Sequence, residues 1–313
     1  METTISFLDI DLGIEQKKLK ELSFWLNVLD RPNGWHYDLD HIYILNELEK
    51  NNILPGATII DAGAGQGIMQ YVLASRGYNV ISLDFSPRNK PFRANGIFSI
   101  SGSGIDNINY DHEYMNFIHY GDSSPRSMIS RLNLKKLNKI VFIPGRLFRK
   151  IKSYSFYLWA RFFTNKNKYG QITYLRAPFH QINLSDNTAD AIVSVSAIEH
   201  ADINLFSENI NELTRVLKNN GQLIITTSGS LTEERTYDKK VKGWNFCESE
   251  FKNLIPDSKT LLTNKNKFIN KLLSSKTFIK RIDPYYYEDQ DSIFYKKRFS
   301  IFPYIPIVIK IIK

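Results

Sequence analysis

Thr58-Ile59-Ile60-Asp61-Ala62-Gly63-Ala64-Gly65-Gln66-Gly67 is the stretch on which the fold turns. A short β-branched run ends in an acid, and glycines follow at alternate positions, 63, 65 and 67. A helical stretch comes next, from Ile68 to Arg76, and Gly77 stops it. A second apolar run then closes on Asp84, 23 positions after Asp61. Strand, glycine bend, helix and acid-tipped strand make up a nucleotide-binding half of a doubly wound sheet. Glycine lets the backbone turn sharply and lets a ligand lie against it. A helix start offers free N–H groups, and a carboxylate at a strand tip can accept hydrogen bonds from both hydroxyls of a ribose. The GxGxG spacing differs from the GxGxxG of dinucleotide enzymes, which counts against a nicotinamide oxidoreductase.

The stretch resembles the first motif of class I S-adenosylmethionine-dependent methyltransferases, of the methyltransferase type 11 kind. Later segments agree in order. Residues 187–194, Asn-Thr-Ala-Asp-Ala-Ile-Val-Ser, resemble the family's fourth strand, and Ala197-Ile198-Glu199-His200 its sequel. Leu213 to Lys218, Gly221 and Gln222 to Thr227 resemble the helix, turn and fifth strand. The resemblance covers about 50–90 and 172–228, and 229–313 only loosely. It implies a Rossmann-like, doubly wound α/β fold with a mostly parallel seven-stranded sheet. A helical cap over 1–50 would precede a methyltransferase domain over 51–313, interrupted by a basic insertion at about 88–170.

The same resemblance implies S-adenosyl-L-methionine as cofactor. Gly63, Gly65 and Gly67 would approach its methionine end, with Asp61 and Ala62 leading into the bend and Asp61 ordering it or receiving the amino group. Asp84 would hold the ribose and Phe85 would lie against adenine. Ser194 and Ser196 would end the fourth strand, where the methyl carbon sits. Where the family often has an acid for the adenine amino group, this chain has Pro178 and then Phe179, so adenine would rest on backbone and on Phe179.

Two histidines are candidate bases. His200 follows the fourth strand, and His36 lies in Gly34-Trp35-His36-Tyr37-Asp38. Imidazole ordinarily titrates near neutrality, as a base requires. For each, a structural role competes: a turn residue for His200, aromatic packing for His36. Glu199 and Asp202 suit a solvated helix start, and no spacing supports a metal site.

Composition bounds the rest. A hydrophobic fraction of 42% is that of a globular chain. One cysteine, Cys247, excludes an intramolecular disulfide and fits a reducing, cytoplasmic setting. The first residues lack the basic-then-apolar pattern of a secretory signal, and no apolar run is long enough to span a bilayer. The net charge of +9 is local: Ser123 to Ser185 contains no Asp or Glu but thirteen Lys and Arg.

That basic block leaves three readings open. It is a lid with solvated charges, an amphipathic helix making peripheral contact with the inner face of a membrane through 146–163, or a site for a phosphate-bearing acceptor. Against nucleic acid, the fourth strand ends Ser-Val-Ser-Ala, without the Pro-Pro-Tyr ending of enzymes that methylate flipped-out base amino groups. The expected activity is methyl transfer to a hydroxyl of a small-molecule or glycan-type acceptor. A non-catalytic methyltransferase-like binding module and a membrane-surface interaction protein are the rivals.

Elsewhere the spacing predicts helices over 17–29, 42–48, 146–163 and 248–254, and a third strand over Ile172–Arg176. Residues 96–104, rich in Gly and Ser, and 237–244 are expected as loop. The last two strands are expected near 260–263 and 292–299, with Pro303 and Pro306 opposing a strand at the C-terminal end.

Overall fold

A computed structural model of the chain describes residues 2–8, 11, 15–31, 33–34, 36–104, 143–230, 233–238, 242–255, 258–261, 265–275, 279 and 305–313. The chain opens with β1 (Glu2–Phe7), α1 (Gln16–Leu29) and α2 (Tyr37–Lys50). The glycine stretch forms the end of β2 (Thr58–Ala62), and α3 (Met69–Ser75) and β3 (Asn79–Asp84) follow. Next come a short α4 (Phe92–Asn95), β4 (Ile100–Ser103), the long α5 (Ile143–Phe163) and β5 (Ile172–Arg176). Then come β6 (Ala189–Val195), α6 (Phe206–Val216) and β7 (Leu217–Gly229), and a small hairpin of β8 (Thr236–Asp238) and β9 (Gly243–Asn245). The chain closes with α7 (Glu248–Leu254), β10 (Ser258–Leu261), α8 (Lys265–Ser274) and β11 (Ile305–Ile312).

One sheet holds nine of these strands in the order β10-β1-β11-β7-β6-β2-β3-β5-β4. From β4 to β7 all pairings are parallel, and β11 runs antiparallel to both β7 and β1. The expected doubly wound, mostly parallel α/β class is the one observed, and the sheet is wider than the seven strands expected. Strand order reverses beside β2, because β3 pairs on one side of it and β6 on the other. In such sheets the crevice beyond the carboxyl ends of those strands is where ligands bind.

Alternation along each strand builds a core on both faces. Ile59, Val193, Ile224 and Val308 face the layer of α1, α2, α3 and α5. Their neighbours Ile60, Ile192, Ile225 and Ile307 face α6 and α7. Strands buried on both sides are apolar at nearly every position, which explains runs such as Ala191-Ile192-Val193.

Four local expectations need correction. Residues 2–7 form a strand, not part of a helical lead-in: Thr3 and Ile5 are buried at alternate positions and β1 is held between β11 and β10. Ile100–Ser103 is a strand despite its Gly and Ser content. It pairs with β5, and Gly102 is needed there because its φ is +67° and a Cβ would meet the Tyr174 carbonyl oxygen at 2.3 Å. The 237–244 segment contributes to the β8–β9 hairpin. The C-terminal residues do form a strand. Pro306 sits beyond the β1 pairing, which ends at Ile307, and its carbonyl oxygen accepts the Leu8 amide at 3.0 Å, so its missing N–H breaks nothing. Residues 292–299 and most of 88–170 before α5 lie outside the described residues. Among the described residues, no helix is long and apolar enough to cross a membrane.

Candidate active site

The bend after β2 is held from several sides. Gly63 and Ala64 donate their amides to the Leu83 carbonyl oxygen at 2.8 and 3.1 Å, and Gly67 donates to that of Ala64 at 2.9 Å. Gly63 has φ +75°, and a Cβ there would lie 2.3 Å from the Ala197 methyl and 3.0 Å from the Phe179 ring. Gly63 is therefore demanded by its backbone and by these two neighbours. Gly65, at φ +46°, has open space where its Cβ would be, apart from an ordinary contact with Asp84.

Asp84, at the tip of β3, receives the Gly65 amide on Oδ2 at 2.7 Å and the Ser86 amide on Oδ1 at 2.7 Å. Phe85, the next residue, and Phe179 are partly buried and pack against the core beneath. Asp61 is buried, and its Oδ2 has no hydrogen-bond partner. Burial lifts its carboxyl to about 7; the Arg88 guanidinium opposes the rise and the Asp84 carboxylate adds to it.

Arg88 was not anticipated from the sequence. It is buried, donating to the Ser82 carbonyl oxygen at 2.7 Å, the Ser82 hydroxyl at 2.8 Å and the Gly65 carbonyl oxygen at 3.3 Å. Its guanidinium lies 4.7 Å from the centre of the Tyr174 ring. It thus braces β3 and the glycine bend together. The only signal in the sequence was an arginine four residues beyond the strand acid, which any solvated loop would also carry.

A cleft opens beside the bend, lined by His36, Tyr37, Ser196, Glu199, His200, Ser228, Asp238, Gly243, Trp244 and Asn245. Both candidate histidines reach it, from positions 164 residues apart. His36 sits at the start of α2, with Nδ1 2.5 Å from Asp40 Oδ2, and its ring meets Tyr37 edge-on at 4.4 Å. Trp35 lies outside the described residues. His200 ends the 3₁₀ turn Ile198–His200, and its Nδ1 lies 2.8 Å from the Lys242 carbonyl oxygen. A carbonyl accepts only, so Nδ1 carries the proton and, in neutral imidazole, Nε2 keeps its lone pair.

Ser194 is fully buried with no partner for its hydroxyl, whereas Ser196, at φ +45°, turns into the cleft. Glu199 corrects the expectation of a solvated helix start. The tight turn folds it inward, where Thr227 Oγ1 donates to it at 3.0 Å and burial raises its carboxyl above the usual range. Asp202 is exposed and caps the next turn through the Asn204 amide at 2.9 Å. Trp244 forms one wall, with Arg235 4.3 Å from its ring centre and Tyr237 at 4.7 Å.

The bend fits a nucleoside donor. It offers a glycine approach at residue 65, a buried carboxyl oxygen without a partner on Asp61, and a strand-tip carboxylate on Asp84 using two of about four acceptor positions.

Residues 153–225 match the family model described as a methyltransferase domain. No curated protein matches the chain. Among solved structures, it is similar to a 1,6-didemethyltoxoflavin-N1-methyltransferase of Burkholderia thailandensis with bound S-adenosylhomocysteine. That pair shares 12% identity over 67% of this chain and 63% of that one, with a TM-score of 0.37. It is also similar to phosphoethanolamine N-methyltransferase 2 of Haemonchus contortus, at 12% identity over 98% of this chain and 60% of that one, with a TM-score of 0.44. The chain spans about three fifths of the length of each. The matched segment, 153–225, runs from α5 through β5, β6 and α6 into β7, and so lies in the same sheet as the glycine bend and the reversal of strand order beside it.

Proposed function

We propose that this methyltransferase domain delivers the methyl group of S-adenosylmethionine to a hydroxyl of a small, glycan-type acceptor seated in the cleft between His36 and His200. The observation that carries the reading is the composition of that cleft. One indole face, Trp244, stands among hydroxyl, amide, imidazole and carboxyl groups from Ser196, Ser228, Asn245, His36, His200 and Glu199. A sugar ring presents the same mixture, an apolar face and an edge of hydroxyls, and a few convergent polar groups fix its orientation.

In this reading the glycine bend takes the methionine end of the donor, with Asp61 receiving its ammonium. Asp84 takes the ribose, and Phe85 and Phe179 take the adenine. When bound, S-adenosylmethionine supplies a methyl group already activated on a sulfonium. His200 accepts the hydroxyl proton at Nε2, because Lys242 holds the other ring nitrogen. The stretch 1–50 acts as a cap: Arg31 reaches Gln66 of the bend at 2.6 Å while His36 lines the acceptor cleft.

The test is incubation of the full chain with methyl-tritiated donor and fractionated cell extract, followed by mass spectrometry of whatever takes up label. A methyl ether on a glycan or other hydroxyl compound is the expected product. Label found only on amines would overturn the hydroxyl assignment. Tight donor binding with no labelled acceptor in any fraction would favour a binding module.

A further inference from the structure

Helix α5 has two apolar faces on opposite sides. One is packed: Ser153, Tyr157 and Ala160 are buried, Ser153 Oγ donates to the Asn27 carbonyl oxygen at 2.7 Å, and Arg93 donates to Ser153 Oγ at 2.6 Å. Phe24 of α1 meets Phe156 and Trp159 edge-on at 5.8 and 5.6 Å. The helix is therefore fixed to the domain over residues 153–160.

The other face points to water. Phe148, Ile151, Leu158 and Phe162 recur at helical spacing with Trp159 and Phe163 beside them, and Phe148, Phe162 and Phe163 are 70%, 69% and 75% exposed. Phe92 of α4, 77% exposed, lies 6.3 Å from the Tyr157 ring at the packed side of the helix. A helix docked by one face ordinarily carries polar residues on the other, and a continuous exposed apolar stripe of this size marks an interaction site.

Charge selects the occupant. Arg149, Lys150, Lys152 and Arg161 are exposed around the stripe, and from Ser123 to Ser185 no acid dilutes them. Exposed aromatic side chains on a helix that carries cations and no acid of its own match an acyl boundary beneath anionic headgroups. We infer that α5 is the element by which this protein lies on an anionic membrane surface, its outer aromatic stripe inserted and its basic residues on the headgroups. The placement also bears on the donor site. Lys150 lies 3.7 Å from Asp30, and the next residue, Arg31, donates to Gln66 of the glycine bend.

The inference stands apart from the acceptor reading and is tested by co-sedimentation, which needs no turnover. The full chain is expected to pellet with vesicles of equal parts phosphatidylcholine and phosphatidylglycerol, and to stay in solution with phosphatidylcholine alone. The variant Phe148→Ser, Phe162→Ser, Phe163→Ser should lower the bound fraction at least about tenfold with an unchanged melting curve, since these rings lie mostly in water. Arg149→Glu with Lys152→Glu should abolish the preference for anionic vesicles. An intact chain that stays in solution with both vesicles overturns the inference, as does a triple variant that binds like the parent. A dimer of the intact chain that the triple variant dissolves, without vesicle binding, would assign the stripe to a second copy instead.

Discussion

Asp84 accepts the Gly65 amide at 2.7 Å, so the acid at the tip of β3 and the glycine bend after β2 form one unit. A carboxylate is thereby held at the crevice, oriented before any ligand arrives. Replacing it with Asn keeps the shape and removes the charge. Hydrogen bonds to charged groups contribute about 1.5–3 kcal/mol, so Asp84→Asn should weaken donor binding roughly ten- to hundredfold by calorimetry. Unchanged affinity would remove the ribose assignment.

Arg88 ties Ser82 and Gly65 together from beneath and offsets the charge of Asp61. Arg88→Met should weaken donor binding by about tenfold or more, through a loosened bend. It should also raise the Asp61 carboxyl further, because the opposing charge is gone. Both effects can be read from a donor titration repeated across pH; a bend that binds as before would show that the brace is dispensable.

Asp61 sets a pH dependence whose sign follows from its burial. Below about 7 the neutral acid dominates in the folded protein. Donor affinity should therefore strengthen as pH rises through about 7, as the carboxylate that receives the ammonium forms, and Asp61→Asn should flatten that rise. Stability runs the other way. An unfolded Asp ionises near 3.8, so the penalty for its burial grows between about 4 and about 7 and then levels off. Asp61→Asn should gain stability over the parent as pH rises through that window, measured by urea unfolding.

Gly63→Ala places a methyl 2.3 Å from that of Ala197 in a left-handed backbone. The left-handed conformation costs about 1–2 kcal/mol and overpacking about 1–3 kcal/mol. A loss of about 2–5 kcal/mol in urea unfolding is expected, with donor binding lost alongside.

His200→Ala should lower turnover about 10²- to 10⁴-fold while leaving donor affinity within about twofold, the pattern of a lost base. His36→Ala serves as the comparison. If His36 orients the acceptor through its contact with Asp40, its loss should fall mainly on the acceptor KM.

Much of this architecture was legible because its signals are local. The glycine bend, β3, β5 and α7 each announce themselves within ten residues, through alternation, helical spacing or a terminal acid. What was missed depends on distance. Thr3 and Ile5 carry a strand pattern too short to outweigh the helical residues after them, and β1 is settled only by pairing with residues 307–312. Pro306 opposed a strand until its place past the end of that pairing was visible. Glu199 looked solvated because a short 3₁₀ turn, which leaves no periodicity, swings it onto Thr227. Arg88 acquires its role only when the chain folds back on Ser82 and Gly65.

The threading of β1 between β10 and β11 has a consequence for how the protein folds. Thr3 stands opposite Ile311 on one side and Ser258 on the other, so β1 is completed only by segments far along the chain. Contacts this far apart in sequence form slowly. Until β11 docks, β7 presents a bare edge, a template for other chains, so the arrival of β11, rather than collapse of the glycine half, protects the sheet from aggregation.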